Sequence, residues 1–188
     1  MKELSLHILD IIQNSIAAGA ALIQLDLTED SNSDLLMFRI TDNGCGMPPE
    51  MVRQVMDPFT TSRKTRKVGL GIPLLKAAAE HTGGGICISS EPGRGTVLEA
   101  RFGYSHIDRQ PLGNMAETML GLVTGYDSID FVYHHKVNEK EFTMDTREIK
   151  SILGEVSLKE PEVMLWLSDF LKENEAALYG EEMNTRKE

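Results

Sequence analysis

The sequence predicts a two-layer α/β sandwich, a layer of helices on a sheet, and three observations carry that prediction. Leu4, Ile8, Ile11, Ile12 and Ile16 recur at helical spacing, and a second long helix is expected over 69–81. Short strand-like runs occupy 21–27, 35–41, 86–90 and 96–102. Glycine-rich or polar clusters punctuate the boundaries between them. With 188 residues, 41% hydrophobic and 26% charged, the chain has material for one real core and a small appendage.

The elements follow in order. The first helix spans 3–18 and is closed by Ala17, Ala18 and Gly19. Two strands follow, separated by a polar, turn-like stretch at 29–34. After the glycine-rich 42–47, Pro48 and Pro49 open a short helix to about Val55, since proline in a first turn loses nothing by lacking its N–H. A basic, polar stretch covers 60–67, and Gly83, Gly84 and Gly85 end the helix that follows it. The strands at 86–90 and 96–102 form a hairpin through 91–95.

A boundary is expected near Tyr104, dividing a core at 1–104 from an extension at 105–188 that packs on it. In the extension, Asn114 with Glu117, Asp145 with Glu148 and Ser157 with Glu160 have capping-box spacing and predict three further helices. Ile129, Phe131, Tyr133, His135 and Val137 alternate with polar residues and turn through 138–140 into a strand holding Phe142 and Met144. This hairpin is expected to extend the sheet, because two strands alone are marginal. His134 and His135 fall on opposite strand faces, so they cannot converge on a metal. The last helix, 160–178, has an apolar stripe and an acidic outer face and is read as packing on its own domain. Residues 180–188 are expected to fray.

Charge narrows the function. Nineteen basic against 29 acidic residues give a net charge of -10, which opposes binding to nucleic acid and to anionic membrane. The charge divides as -2 over 1–104 and -8 over 105–188. No apolar run approaches a membrane span and no export signal is seen at the N-terminus, so a cytoplasmic protein is expected. Cys45 and Cys87 match no zinc or disulfide pattern.

Four segments point to a polar ligand. Asp10, Asn14 and Ala18 recur once per helical turn, placing a carboxylate and a carboxamide on one face; the carboxamide oxygen suits Mg²⁺. Asp42, directly after a strand, can accept a hydrogen bond from an amino group such as that of adenine. Gly44 and Gly46 let the backbone approach a flat ligand closely. Gly69, Leu70 and Gly71 open a helix behind Arg63, Lys64, Arg66 and Lys67, an arrangement suited to phosphates. Gly93 to Thr96 form a turn whose threonine begins a strand. Each alone is equally a polar helix edge, a plain turn or a glycine hairpin.

In combination they are specific. Asn-Ser-Ile-Ala-Ala-Gly-Ala from Asn14, Asp-Asn-Gly-Cys-Gly-Met from Asp42, Asp-Pro-Phe-Thr-Thr-Ser from Asp57, Gly-Leu-Gly-Ile from Gly69 and Ser-Glu-Pro-Gly-Arg-Gly-Thr from Ser90 resemble the N, G1, F, G2 and G3 boxes of the GHKL superfamily. That superfamily holds gyrase, Hsp90, histidine kinases and MutL. The resemblance covers about residues 3–102 and is closest to histidine-kinase-like ATP-binding domains. It implies a Bergerat-type α/β sandwich, with helices on one face of a mixed sheet and ATP beneath a lid.

Carried over by position, the resemblance implies that Asn14 holds Mg²⁺ and Asp42 the adenine amino group, with Thr96 supporting the base through water. Gly44, Gly46 and Met47 shape the adenine pocket. Gly69, Leu70 and Gly71 offer amides to the phosphates, and Lys64 belongs to a short lid at 60–67. Asp10 stands where hydrolysing members place a glutamate base, one methylene shorter, and Ala17 stands where MutL has an aspartate. The N and G1 boxes resemble MutL, whereas the other boxes resemble histidine kinases.

The N box begins almost at Met1, so the phosphoacceptor hairpin of a sensor kinase is not expected ahead of it. Three functions follow from the resemblance. The favoured one is a stand-alone ATP-binding regulator that phosphorylates a protein partner in trans or uses ATP to change its affinity for one. The alternatives are a conformational ATPase of MutL or Hsp90 type that forms a homodimer on ATP, and a nucleotide sensor with negligible turnover.

Overall fold

The alternation of apolar and polar residues along the strands builds one mixed six-stranded sheet. The computed structural model describes residues 3–56 and 70–180. The strands are β1 (Leu22–Asp30), β2 (Leu35–Asp42), β3 (Gly85–Glu91), β4 (Gly95–Gly103), β5 (Asp130–Val137) and β6 (Lys140–Asp145), in the order β3-β4-β2-β1-β5-β6. All neighbouring pairs are antiparallel except β1 and β5. The hairpin β5–β6 therefore extends the sheet beyond β1.

One face of this sheet is covered. Ile23, Leu25 and Leu27 of β1, Leu36, Phe38 and Ile40 of β2, Leu98, Ala100 and Phe102 of β4, and Phe131 and Tyr133 of β5 are all buried. Over them lie α1 (Leu4–Ala17), α3 (Gly71–His81), α4 (Met115–Gly125) and α6 (Pro161–Leu178). Each fully buried leucine or isoleucine contributes on the order of 1.5 to 3 kcal/mol. Two shorter helices, α2 (Pro49–Met56) and α5 (Thr146–Leu153), pack beside α3 and β5 respectively. The opposite face is polar, and there Arg39 and Glu99 sit directly opposite one another and pair at 2.5 Å.

Local signals explain most boundaries. Asn114 caps α4 by accepting the Glu117 N–H, and Asp145 caps α5 by accepting that of Arg147. The N-terminus of α1 has no side-chain cap; instead Leu4 and Ser5 donate their N–H groups to the carbonyls of Pro111 and Leu112, at 2.9 and 2.8 Å. The chain beyond β4 thus completes the first helix.

Three expectations need correction. β1 runs through Glu29 and Asp30, which the sequence reading gave to a turn. Glu29 continues the buried row of β1 because partners on β5 and at the end of α6 satisfy its carboxylate. Ser157 does not cap α6: its hydroxyl accepts the Lys159 N–H in a preceding turn, and α6 starts at Pro161 without a side-chain cap. The helix read over 69–81 begins at Gly71, and Gly69 lies outside the described residues, as do the lid, the F box and all but Gly180 of the tail read as frayed over 180–188.

A buried ionic cluster ties α6 to the sheet. His135 is fully buried, with Nε2 at 3.1 Å from Glu29 and Nδ1 at 3.0 Å from Glu175 of α6. With a carboxylate facing each ring nitrogen, both nitrogens donate and the ring is an imidazolium. Tyr133 donates to Glu175 at 2.6 Å, and Tyr179 donates to Glu29. Burial opposes the charge on His135, but the bonds to Glu175 and Glu29 outweigh it and raise its pKa above the ordinary 6.5. Burial likewise pushes the Glu29 carboxyl up, and the bonds from His135 and Tyr179 reverse that and hold it below its ordinary value.

Two predictions follow from this architecture. The His135 contribution is full below about pH 6.5 and lost as pH rises through the raised pKa, so unfolding stability should fall toward alkaline pH. His135→Gln should cost about 3 to 5 kcal/mol in denaturant unfolding and flatten that alkaline slope, because it leaves two carboxylates buried without their cation. An unchanged slope would assign the pH dependence to other groups. Separately, a chain ended after Tyr104 should be insoluble or poorly folded, since it strips β5 from β1 and removes the acceptors for the α1 amides. A monomeric fragment with a cooperative thermal transition would contradict this.

Candidate functional site

The site forms where β2 ends. Antiparallel registers place Asp42 of β2 opposite Thr96 of β4, and Thr96 opposite Ser90 of β3, so three polar residues line up across three strands. The Asp42 carboxylate is only 8% exposed and both its oxygens are held: Oδ1 accepts the Gly44 N–H at 2.9 Å and Oδ2 accepts the Ser15 hydroxyl at 2.6 Å. A carboxylate has about four acceptor sites, so Asp42 is oriented by two donors and can still receive a third.

The loop after β2 is pinned against the β3–β4 turn. Cys45 donates its N–H to the Ala18 carbonyl at the end of α1, and its own carbonyl accepts the Gly93 N–H at 2.7 Å. Ser90 Oγ accepts the Met47 N–H at 2.8 Å and donates to the Gly95 carbonyl at 2.9 Å. Its single proton is then committed, so Thr96 Oγ1, also at 2.9 Å, donates to it. Glycine is required at two points. Gly46 has φ of 67° and a Cβ there would lie 1.9 Å from the Glu91 carbonyl oxygen; Gly95 has φ of 96° and would meet that of Asp42 at the same distance.

The second wall comes from helices. Asp10 and Asn14 lie one turn apart on α1, the first half-buried and the second exposed. A Cβ on Gly71, the first residue of α3, would come within 2.5 Å of Asp10 Oδ2, so this glycine lets the helix start approach the carboxylate. Leu70 precedes it, 67% exposed, and no side chain caps the α3 N-terminus. Among the described residues no side chain takes its first amides, and an anion there is favoured by the dipole of the helix.

Asp42, Gly44, Gly46, Met47 and Thr96 thus come together at one strand end, and Asp10 meets Gly71. Met47 contributes a main-chain amide already used by Ser90. Lys64 and Gly69 lie outside the described residues. Sequence reasoning missed Ser15, Asn43 and Ser90. Ser15 carried a signal, since it is a polar residue four positions after Ile11 on the buried stripe of α1. Asn43 accepts the N–H groups of Ala21 and Leu22 at 2.8 and 2.9 Å, which ties the loop to the start of β1.

These features agree with what the chain resembles. The family described as histidine kinase-, DNA gyrase B-, and HSP90-like ATPase matches residues 2–105. A sensor kinase, CckA, of Brucella abortus is 34% identical over 89 residues, covering 46% of this chain and 9% of that protein. The cell-division control histidine kinase PdhS of Brucella anthropi is 32% identical over 115 residues, covering 54% of this chain and 11% of that protein. Among solved structures, the MutL ATPase domain of Aquifex aeolicus complexed with ADP is similar in fold, with a TM-score of 0.50 and 14% identity. That likeness covers 81% of this chain and 69% of the other, so part of the region after residue 105 shares the fold.

Gly46→Ala should destabilise the protein by more than about 2 kcal/mol, because strain at positive φ adds to a main-chain clash. A thermal transition within a degree of the parent's would show that the loop relaxes away from Glu91.

Proposed function

Because this chain belongs to the histidine kinase-, DNA gyrase B- and HSP90-like ATPase family, we propose that it is an ATP-binding regulator that phosphorylates a protein partner or uses ATP to change its affinity for one. The observation that carries the nucleotide reading is Asp42, a nearly buried carboxylate aimed by Ser15 and Gly44 beside Thr96. An acceptor-only group held in this way selects a donor such as the adenine amino group. The uncapped start of α3 suits phosphate oxygens, so the residues present fit a nucleoside triphosphate.

In this reading Asn14 holds Mg²⁺, which when bound supplies charge neutralisation on the phosphates. Gly69, Leu70 and Gly71 offer amides, and Lys64 adds a contact from the lid. Asp10, beside Gly71, is the one carboxylate of the N box near the phosphate end and is assigned to accept the proton of an attacking water. It is shorter than a glutamate, so turnover is slow. The core at 1–104 carries the site, and the extension at 105–188 completes the sheet. The partner is a polypeptide rather than nucleic acid, and the setting is the cytoplasm. Among the described residues, no helix is long and apolar enough to cross a membrane.

Asp42→Asn should weaken Mg²⁺-ATP binding by about 1.5 to 3 kcal/mol in calorimetry, the value of a hydrogen bond to a charged group. Asp10→Asn should abolish phosphate release while leaving that affinity nearly intact. With γ-labelled ATP, the pure protein should not label itself, and a second protein in the native cell extract should acquire label or be retained only with nucleotide. Stoichiometric self-labelling would return the chain to the autokinases. Steady phosphate release with neither labelling nor retention would make it a conformational ATPase, and absence of turnover a nucleotide sensor.

A further inference from the structure

Helix α6 buries one stripe and leaves its outward face uncovered. Leu167, Leu171 and Leu178 are buried, while Leu165 is 65% and Trp166 50% exposed. Trp166, the only tryptophan of the chain, stacks on Phe170 with ring centroids 5.5 Å apart, and Phe170 packs edge-on against Phe142 of β6. The indole is therefore held in place at the surface by an aromatic platform.

The charges on this face share one sign. At 100° per residue, Glu162, Asp169 and Glu173 fall in a line down its middle, with Leu165 on one side and Trp166 on the other. All three carboxylates are exposed, and none has an ion pair or hydrogen bond among the described residues. Asp169 and Glu173 are a like-charged i,i+4 pair, an arrangement that destabilises an isolated helix. Lys172, the single cation of α6, lies on the flank beside Leu165. A tryptophan and a leucine around an acidic line form a surface to which a partner's cations are complementary.

We infer that the outward face of α6 docks a partner polypeptide segment that carries an apolar anchor flanked by lysine or arginine. Tryptophan is the residue most enriched where interface energy concentrates, and charge complementarity selects the partner's sign. A second copy would bring the same three carboxylates face to face, and an anionic lipid surface would be repelled. The inference deepens the reading of the chain as a regulator of a protein and rests on it only for the partner being polypeptide. The face lies on α6, whereas the nucleotide residues lie on α1, β2, β4 and the start of α3, so its affinity for a short peptide is measurable without nucleotide whether or not nucleotide changes that of a whole partner.

The test uses the full chain without nucleotide and the emission of Trp166. The probe is a synthetic amphipathic peptide of about five helical turns built from lysine and leucine, with a glutamate-leucine peptide of the same pattern beside it. The lysine peptide should shift the emission to the blue saturably, more weakly as salt rises. The double variant E162K/D169K should weaken binding about tenfold or more, and Leu165→Ser should also weaken it. The double variant E139K/E148K, which changes net charge equally at positions off α6, should stay within about twofold of the parent. Far-ultraviolet circular dichroism and the thermal transition show that each variant is folded.

Equal weakening by both double variants would reduce the effect to overall charge and overturn the proposal. Equal binding of the glutamate peptide, or an emission that no peptide moves, would overturn it as well. A blue shift that grows with protein concentration alone would assign the face to a second copy instead. A parallel ATP titration of the same samples separates failure here from failure of the nucleotide reading.

Discussion

β1 is paired on both sides, antiparallel to β2 and parallel to β5, and the rest of the structure depends on that double pairing. Period-two alternation puts Ile23, Leu25, Leu27 and Glu29 on the helix-covered face together. A slip of one residue against either neighbour would send the whole row to solvent. The register is therefore specified by apolar burial at three positions and by charge at the fourth, where Glu29 meets His135. A parallel pair also needs a long crossover, and the chain from β4 through α4 to β5 supplies it while laying a helix over the ladder.

The same ladders set the geometry of the site. Because β2 and β4 stay in register to their ends, Asp42, Thr96 and Ser90 arrive side by side without any loop having to place them. Helices then approach from the covered face: α1 brings Ser15 to Asp42, and α3 brings Gly71 to Asp10. An acceptor fixed on a strand end by two donors gives up little conformational freedom when a ligand arrives, which suits recognition of a small rigid group such as an adenine edge.

The carboxylates of α6 divide into two physical classes. Glu175 turns inward and, with Glu29 of β1, pairs with the buried His135 and so holds α6 onto the sheet. Glu162, Asp169 and Glu173 lie on the far side of that same helix and contribute nothing to the packing. One helix thus uses its carboxylates inward for cohesion and outward for the character of its surface, so net charge alone describes neither role.

Much of this was legible in the sequence because it is local. Helical spacing in 4–16, alternation in the strands, the capping pairs at Asn114 and Asp145 and the five short boxes all act within a few residues, and the resemblance the boxes carry points to the family. Local pattern failed where a distant partner decides. Glu29 reads as part of a polar turn until His135, 106 residues away, makes it a strand residue. Ser15 reads as a small residue in a helix until Asp42, 27 residues away, claims its proton. Ser157 has the spacing of a cap, yet Pro161 starts the helix later and leaves the serine a turn. Sequence by itself determined the elements, the family and the chemistry of the strand-end residues. Tertiary structure decided the strand order, the parallel pairing of β1 with β5 and the buried ionic cluster, because a buried charge is stable only beside a counter-charge that folding, and no nearby residue, brings to it.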